Sequence, residues 1–485
     1  MISCLAFKSF SQVMISAAPG KIDSSAMLEV RSSDRGLLTS RMSTQQRKAI
    51  KNPAPGLLVF DTTKQLFYGY VKNLGWRPFL MGYDTTAISD SYSPVLIIDN
   101  AEGDQLGYAV AINGDIAVAT APTDDIDENT NQGSVYVFRN ENGIWTNTQK
   151  ITAPDGAAND QFGVTVAMTD TYVFVSAMFD DVGENSDQGS VYVYKIVDGV
   201  LVYHQKLAGS TATSNDLFGY YVAAQNRQLF IGAPYDDVIG NFNQGSAYSF
   251  KLTNGFWTES QKIIQDSAAG SEDYFGFGIS IDSSMISIGG HINVEGNYGY
   301  GQNAIFIYEN VNGTWQRRQK ILQPDVSSSI KTEAFGYNTV LKNGILTAGA
   351  WLHNIPFGNK DRGTAYVFKK SGSVWNNVQK LTPEDVNTGD FYGDYFGTNL
   401  RSDNTFMVAG SGYEDITEGV IDRGAFYLFE WNGTQWIMKK KVSAPTPSYL
   451  DLFGHAVGIQ GDNIIVSAYN ANNGKGKIYF YTLTN

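Results

Sequence analysis

Three acidic loops contain the residues best placed by type and spacing to do chemistry. Each has two adjacent aspartates and ends in Gln-Gly, as in Tyr235 to Gln244, which reads YDDVIGNFNQ. Paired carboxylates in such a loop could hold a cation or contact a ligand, but Asp and Asn also commonly bond the main chain of their own loop. The structural role is favoured and the ligand-binding role stays open. The candidate ligand-binding residues are Asp124, Asp125, Asp180, Asp181, Asp236, Asp237, Gln132, Gln188 and Gln244.

A second acidic set lies three residues before a recurring glycine. The set comprises Asp104, Asp160, Asp216, Asp273, Glu333, Asp394 and Asp451. Arranged in a ring, these carboxylates could capture a cation; alternatively, each accepts main-chain N–H groups where one repeat meets the next. Because the acid recurs seven times, the second role is favoured. No metal site is predicted with confidence from either set.

The glycines themselves mark an internal repeat. They stand at Gly107, Gly163, Gly219, Gly276, Gly336, Gly397 and Gly454, at intervals of 56, 56, 57, 60, 61 and 57 residues. In the sixth copy Glu414-Asp415 replaces the aspartate pair, whereas copies four and five have other residues there. Repeats of this length predict one supersecondary unit per copy.

Each copy contains four β-runs that must position these side chains. In the first copy they are GYAVAI, IAVATA, SVYVFR and IWTNTQKI, joined by Asn- and Gly-rich turns. The sequence therefore predicts an all-β fold, a seven-bladed propeller of four-stranded blades. The seventh copy stops after its third run, so residues 92–100 are expected to complete the last blade and close the ring.

Phe218-Gly219, followed by Gly232-Ala233-Pro234, resembles the FG-GAP repeat of integrin α-subunit propellers and many bacterial surface proteins. The resemblance covers about residues 104–485. Calcium-binding members of that family carry a D-x-D-x-D-G type loop between the FG and GAP strands, but here the junctions are short, as in QNR at 225–227. Calcium is thus a candidate ligand whose usual loop is missing.

Conventional catalysis finds little support in the sequence. His204, His291, His353 and His455 lie in different copies without metal-ligand spacing, and no nucleophile elbow or phosphate loop is present. A tryptophan recurs in the fourth run, usually with Gln-Lys four and five residues later, and inter-blade packing is favoured over sugar stacking for it. The tryptophans are Trp145, Trp257, Trp315, Trp375 and Trp436.

Charge and composition limit the partners. A net charge of −13 without a Lys/Arg cluster argues against nucleic acid. The single cysteine, Cys4, permits no intramolecular disulfide, and no apolar run reaches the roughly 18 residues of a membrane span. Residues 1–19 are interpreted as a truncated signal peptide or a disordered N-terminus.

Residues 20–82 belong to no blade and form a small α+β segment. SAMLEV, STQQRKAI and PAPGLLVFDTT resemble a module of secreted Bacteroidetes proteins and some phage tail proteins, which implies attachment or oligomerisation. Residues 83–91 are assigned as a linker and 92–485 as the propeller, with blades beginning near 104, 160, 216, 273, 333, 394 and 451.

The predicted function is a secreted or cell-surface, non-enzymatic propeller that binds an extracellular protein or glycan, as in adhesion. Two alternatives stay open: a glycan hydrolase or lyase that uses carboxylates from different blades, and a structural subunit of an extracellular assembly. Homo-oligomerisation through the N-terminal module is a further expectation.

Overall fold

The computed structural model describes residues 13–16, 28–31, 40–55, 57–63, 66–71, 75–79, 87–88, 93–94, 101–265, 270–292, 302–325, 334–352, 362–382, 394–414, 423–445 and 448–484. Residues 1–12, Glu333, His353 and Asp415, for which roles were predicted above, lie outside them. The chain divides into two compact units, residues 1–85 and 86–485. No helix within the described ranges is long and apolar enough to cross a membrane.

The second unit is a seven-bladed β-propeller of antiparallel blades, which confirms the predicted fold. The FG position lies just before or at the start of the first strand of each blade, and the GAP position lies at or near the end of the second strand. The first strands are Val110–Asn113, Val166–Met168, Tyr221–Gln225, Ile279–Asp282, Phe335–Lys342, Asn399–Ser402 and Phe453–Gln460. The second strands are Ile116–Ala121, Tyr172–Ala177, Gln228–Ala233, Met285–Ile292, Ile345–Ala350, Phe406–Ser411 and Asn463–Ala468.

The two outer strands complete each blade. The third strands are Ser134–Glu141, Ser190–Val197, Ser246–Thr253, Gln302–Val311, Thr364–Ser371, Ala425–Trp431 and Lys477–Thr484. The fourth strands of blades 1 to 6 are Ile144–Ile151, Val200–Leu207, Phe256–Ile264, Thr314–Leu322, Val374–Leu381 and Trp436–Ser443. The predicted runs IAVATA and IWTNTQKI coincide with strands of blade 1.

Strands from both ends of this unit close the ring. Lys477–Thr484 pairs antiparallel with Ser93–Pro94 and with Ala87–Ile88, so the outer edge of blade 7 comes from the N-terminal side. Each first strand also contacts the first strand of the next blade, including blade 7 with blade 1. Closure by an N-terminal strand is confirmed, while the domain boundaries proposed from the sequence stay predictions.

The core of the ring lies between blades. Second strands are buried on both faces because each blade is covered by a neighbour on either side. One cluster combines Phe174 and Val191 of blade 2 with Leu229, Tyr248 and Trp257 of blade 3. Burying such large aromatic side chains supplies much of the stability of an all-β ring.

The Gln-Gly dipeptide forms the joint to the next blade. Gly245 has φ +82°, and a Cβ there would lie 2.4 Å from the main-chain N and O of Phe275. The carbonyl of Gln244 accepts a hydrogen bond of 2.9 Å from Phe275 N. Only glycine permits both this conformation and this approach. The repeated Gln-Gly is therefore explained by contact between neighbouring blades.

The N-terminal unit contains a short helix and a small sheet. The helix, Thr44–Lys48, begins with a capping box between Ser43 and Gln46. It accompanies a four-stranded sheet of Arg41–Met42, Leu58–Asp61, Leu66–Val71 and Gly75–Phe79, and the strands Val13–Ser16 and Leu28–Arg31 pair separately. A second short helix, Ala471–Gly474, belongs to blade 7.

A buried ion pair lies at the centre of the N-terminal unit. Arg47 Nε is 2.9 Å from Asp61 Oδ2, and the side chains are 5% and 0% exposed. The guanidinium carbon also lies 3.6 Å from the centre of the Tyr68 ring. A charge buried so completely requires its partner, so this pair fixes the helix on the sheet.

Candidate functional site

The first aspartate of each predicted pair is buried and bonded within its own blade. In blade 3, Asp236 Oδ2 accepts hydrogen bonds from Ser246 Oγ at 2.5 Å and Tyr248 OH at 3.1 Å. Lys262 Nζ, from the fourth strand, lies 2.7 Å from the same oxygen. Burial lowers the pKa of Lys262, but its hydrogen bonds to Asp236 and Tyr248 outweigh burial and raise the pKa. This carboxylate therefore connects the loop to the outer strands.

The same ion pair recurs in other blades. The equivalent pairs are Lys150 with Asp124 at 2.9 Å, Lys206 with Asp180 at 2.7 Å and Lys441 with Glu414 at 2.6 Å. In blade 5, Lys380 Nζ instead lies 2.5 Å from Asp325, which follows the fourth strand of the preceding blade. In blades 1, 2, 3 and 6 the lysine at the second position of the Gln-Lys motif, which reads Lys-Lys in blade 6, therefore forms an ion pair with the acid of the loop.

The second aspartate and the glutamine brace the loop itself. Asp237 Oδ1 accepts a hydrogen bond of 2.8 Å from Asn243 N, and Gln244 Oε1 accepts one of 2.8 Å from Asn241 Nδ2. Blades 1 and 2 repeat these contacts through Asp125, Asp181, Gln132 and Gln188. The described contacts of the nine candidate residues are thus internal to the protein, and a ligand-binding role for them stays a prediction.

Most acids of the second set cap the chain where one blade leads into the next. Five accept a hydrogen bond from the main-chain N three residues earlier: Asp104 from Ala101, Asp160 from Ala157 at 2.7 Å, Asp216 from Thr213 at 2.6 Å, Asp273 from Gly270 at 2.8 Å and Asp451 from Ser448 at 3.0 Å. They are 1–5% exposed. Burial raises the pKa of Asp160 and Asp216 to about 6.

No metal-binding cluster is found in the described part of the chain, judged by groups of three or more His, Cys, Asp or Glu side chains. The junctions between first and second strands are tight. Gln225 pairs with Gln228 across the turn in blade 3, which leaves only Asn226 and Arg227 between them. Such a turn lacks the alternating carboxylates that a calcium cage needs.

The recurrent tryptophans pack between blades, as predicted. Trp257 is 1% exposed, and its ring meets Phe174 of blade 2 edge-on with centres 5.0 Å apart. Gln205 of blade 2 clamps the Trp257 main chain, accepting from its N at 3.0 Å and donating to its O at 2.9 Å. We call this arrangement the glutamine clamp. It recurs from Gln149 to Leu201, Gln261 to Trp315, Gln319 to Trp375 and Gln379 to Trp436.

A different set of residues surrounds one end of the central channel. We call it the aromatic mouth: it contains aromatic side chains that lie one residue after or two residues before a repeat glycine, or at or just after the end of a second strand, most of them half-buried. Its members are Tyr108, Tyr220, Tyr235, Tyr274, Phe277, His291, Tyr337, Trp351, Tyr395, Tyr413, His455 and Tyr469.

The rings of the aromatic mouth contact one another from blade to blade. Phe277 and Tyr337 stack with centres 3.8 Å apart, and Trp351 meets Tyr395 edge-on at 5.3 Å. Tyr395 lies 4.8 Å from Tyr413. The sequence of contacts runs through blades 3 to 7 and reaches blade 1 at Tyr108, whereas blade 2 has Val164 at the equivalent position. The result is a broad aromatic surface contributed by six blades.

The aromatic mouth is uncharged at neutral pH. Burial lowers the pKa of His291 and of His455 to about 4. Burial also raises the pKa of Tyr337 to about 12, and it raises the pKa of Tyr220 and Tyr469 further. Neutral, partly exposed aromatic rings favour apolar contacts and cation–π contacts.

The sequence interpretation missed this surface because it concentrated on residues that recur. Only Tyr235 fell within a loop considered for function. The sequence feature that could have revealed this surface is the residue after each repeat glycine. It is aromatic in five of the seven copies and is Val164 and Thr398 in the other two. The first strands line the central channel, so large side chains next to these strands lie beside open space. Such side chains indicate a binding surface and not a structural contact between neighbouring blades.

Comparison with protein-family profiles finds FG-GAP repeats in four segments of this chain. The sequence profile described as FG-GAP repeat matches residues 97–138, 145–194, 202–250 and 375–429. The propeller therefore contains FG-GAP repeats. Together with the seven four-stranded blades, this match confirms the resemblance noted from Phe218-Gly219 and Gly232-Ala233-Pro234.

Among curated proteins, the FG-GAP propeller resembles Integrin alpha-2. The Bos taurus protein is 29% identical over 143 residues, which is 26% of this chain and 12% of that protein. The Mus musculus protein is 30% identical over 132 residues, or 24% of this chain and 11% of that protein. The matched segment is therefore about a tenth of the length of these relatives.

Two solved structures share a limited likeness. The Neurospora crassa Pan2 WD40 domain aligns with a TM-score of 0.36 and 11% identity, over 66% of this chain and 89% of that one. Phage phi92 endosialidase aligns with a TM-score of 0.40 and 8% identity, over 81% of this chain and 69% of that one. Residues 17–90 match a profile described as phage tail like trimerisation region.

Proposed function

We propose that this chain is a secreted or cell-surface binding protein that attaches to an extracellular protein, as in adhesion, and catalyses no reaction. The aromatic mouth is the observation that carries the proposal. It is a broad, uncharged surface at one end of the channel, and its residues differ from blade to blade. Partly exposed Tyr and Trp side chains are the residues that contribute most to protein–protein binding.

The charge of the protein indicates what kind of partner would fit. The chain carries a net charge of −13, and the loops of blades 1 to 3 expose Asp125, Asp127, Glu128, Asp181 and Asp237. A basic partner would be attracted by this field. Its apolar and cationic side chains could then contact the faces of the aromatic rings. We therefore infer a basic protein surface as the ligand.

The similarity to Integrin alpha-2 over about a quarter of this chain supports a location outside the cell and a protein partner. Residues 17–90 support an oligomer, since they match a trimerisation region. Three propellers on one trimer would bind a surface multivalently, which strengthens attachment without new contacts.

The test uses the full chain, an array of extracellular proteins and a glycan array. Trp351→Ala removes a partly exposed ring of the aromatic mouth, and Tyr203→Ala removes a ring that is 45% exposed on an outer strand as the matched control. We expect a protein ligand whose affinity falls at least tenfold with Trp351→Ala and less than twofold with Tyr203→Ala.

Three results would contradict the proposal. Equal binding by both variants would remove the aromatic mouth from the site. Binding confined to the glycan array would exclude a protein ligand. Cleavage of an arrayed glycan, seen as new reducing ends, would instead favour the hydrolase or lyase alternative.

Oligomeric state is measured independently by light scattering after size exclusion. A trimer is expected to show three times the 53.1 kDa mass of one chain. The mass of a single chain over the micromolar range would contradict trimerisation but would leave binding by the propeller intact.

A further inference from the structure

A second opening of the channel lies at the other ends of the first strands. There the channel widens into a cavity of about 670 Å³, lined by residues of all seven blades. The aromatic mouth surrounds the starts of the first strands, whereas this cavity reaches the turns after them. We call this cavity the turn-side cavity. Nothing in the aromatic mouth contributes to it.

Three cationic side chains from different blades line the turn-side cavity: Arg227, Lys342 and Arg401. Within the described ranges, none of the three forms an ion pair with an acid. The guanidinium groups of Arg227 and Arg401 donate instead to the main-chain carbonyls of Leu252 and Leu400. Elsewhere in the chain, cations such as Lys262 and Lys441 are paired. Among the described residues these three cations therefore lie on the cavity wall without a direct ion pair, in a protein with net charge −13.

The nearest acids are already engaged. Asp170, which also lines the turn-side cavity, accepts a hydrogen bond of 2.8 Å from Asn113 Nδ2. Asp282 accepts one of 2.7 Å from Asn343 N, and Asp403 accepts from the main chain of its own turn. These carboxylates form turns but keep their negative charge, so the cavity lining combines three cationic side chains with one carboxylate, Asp170.

Comparison between repeats shows that the cations are substitutions on the channel wall. Arg401 occupies the position held by Ala111, Ala167 and Ala223 in blades 1 to 3. Lys342 occupies the position held by Gln225 and Gln460 in blades 3 and 7. At the Arg401 position every other blade has a small or neutral residue, whereas at the Lys342 position blades 4 and 6 have Asp282 and Asp403 and the remaining blades have neutral polar residues. The positive charges are therefore not needed to form a blade.

We propose that the turn-side cavity binds a small acidic saccharide, a sugar that bears a carboxylate or a sulfate. Arg and Lys match such groups in charge and geometry. The amides of Asn113, Gln225 and Gln460 border the same space and suit sugar hydroxyls, and the lining is more polar than apolar. The volume exceeds that of a simple ion and lies in the range of small-molecule sites.

The test is calorimetric titration of the full chain with four probes: digalacturonic acid, a sulfated disaccharide, neutral maltose and sodium sulfate. We expect binding of at least one acidic disaccharide, weakened by added salt, and none of maltose. The Lys342→Gln and Arg401→Ala double variant, whose new side chains already occur at these positions in other blades, should weaken binding at least tenfold. Arg139→Ala, which removes an outer-strand cation, is the matched control and should leave it unchanged.

Four results would overturn this proposal. They are maltose binding as tightly as the acidic sugars, sodium sulfate competing at equal concentration, retention of affinity by the double variant with an unchanged melting temperature, and no binding of either acidic disaccharide. Trp351→Ala is expected to leave sugar binding unchanged, because it alters only the aromatic mouth. The turn-side cavity and the proposed function are therefore tested separately.

Discussion

The aspartate loops and the aromatic mouth use residues in opposite ways. In the loops of blades 1 to 3, Asp, Gln and Lys recur at fixed positions and bond one another, as Asp236 does with Lys262. In the aromatic mouth, the residue after each repeat glycine changes from Tyr to Val, Phe, Thr or His. Residues that recur build the joints of the ring, and those that vary face space that a partner can occupy.

This contrast reverses the usual first impression of acidic pairs. Paired carboxylates look like a site because metal and catalytic centres use them. Here the first carboxylate of each pair is nearly inaccessible and already has a cationic partner. The partly exposed rings of the aromatic mouth are the better candidate for binding.

The strongest test of the contrast removes one carboxylate of a pair. Asp236→Ala leaves Lys262 without its buried partner, and breaking such a pair costs about 3–5 kcal/mol of the free energy of unfolding. Asp237→Ala, its exposed neighbour, should cost about 1 kcal/mol or less because it loses one exposed hydrogen bond. Urea denaturation of the two variants gives the comparison. If both variants lost the same free energy of unfolding, the two aspartates would contribute equally, which would contradict the separate roles given to Asp236 and Asp237.

A smaller effect is expected at the glutamine clamp. Gln261→Ala removes both hydrogen bonds to the Trp315 main chain and leaves buried groups unpaired, for a loss of about 1–3 kcal/mol. Gln316→Ala alters an exposed glutamine of the neighbouring outer strand and should change stability by less than about 0.5 kcal/mol. Indistinguishable urea midpoints for the two variants would show that the clamp contributes nothing to joining the blades.

The smallest expected effect is on the pH dependence of stability. Here His455 of the aromatic mouth and Asp160, which caps the chain between two blades, should act in opposite directions. The pKa of His455 is about 4 in the folded protein against an ordinary 6.5, so its contribution is present above pH 6.5 and is lost as the pH falls toward 4. The pKa of Asp160 is about 6 against 3.8, so the folded state takes up a proton first and gains stability as the pH falls from 6 to 3.8.

Two variants separate these contributions. His455→Phe, which introduces the residue found at the same position in blade 4, should reduce the loss of stability between pH 6.5 and 4. Asp160→Asn should remove the opposing gain while keeping an acceptor for Ala157 N. Thermal unfolding midpoints at pH 4.5 and 7 measure both. Parallel pH profiles for the two variants and the unaltered protein would contradict the assigned pKa shifts.

The sequence predicts more of the scaffold than of the site. Repeat spacing, turn residues and β-runs such as IAVATA give the blades, and the incomplete seventh copy gives the closure that Ser93–Pro94 provides. These features are local or periodic, so a linear sequence contains them. The hydrophobic Trp257 likewise reveals its packing role through recurrence.

The binding surfaces depend on convergence between distant repeats, which spacing does not encode. Tyr337 and Phe277 stack although 60 positions separate them in the sequence. Arg227 of blade 3 and Arg401 of blade 6 line the same cavity. Neither set forms a motif in the chain. The pairing of Asp236 with Lys262 was also missed, because it joins a loop to the outermost strand of the blade.

The glutamine clamps have a mechanical consequence. Among the described residues they join blades 1 through 6 in succession, and Lys440 stands in blade 6 where the glutamine would continue toward blade 7. Within the ranges that the structure describes, blade 7 has no glutamine clamp, and its outer edge pairs with the two short strands Ala87–Ile88 and Ser93–Pro94. Local opening begins where the fewest interactions hold the structure, so we expect blade 7 to separate first when the ring is heated or pulled.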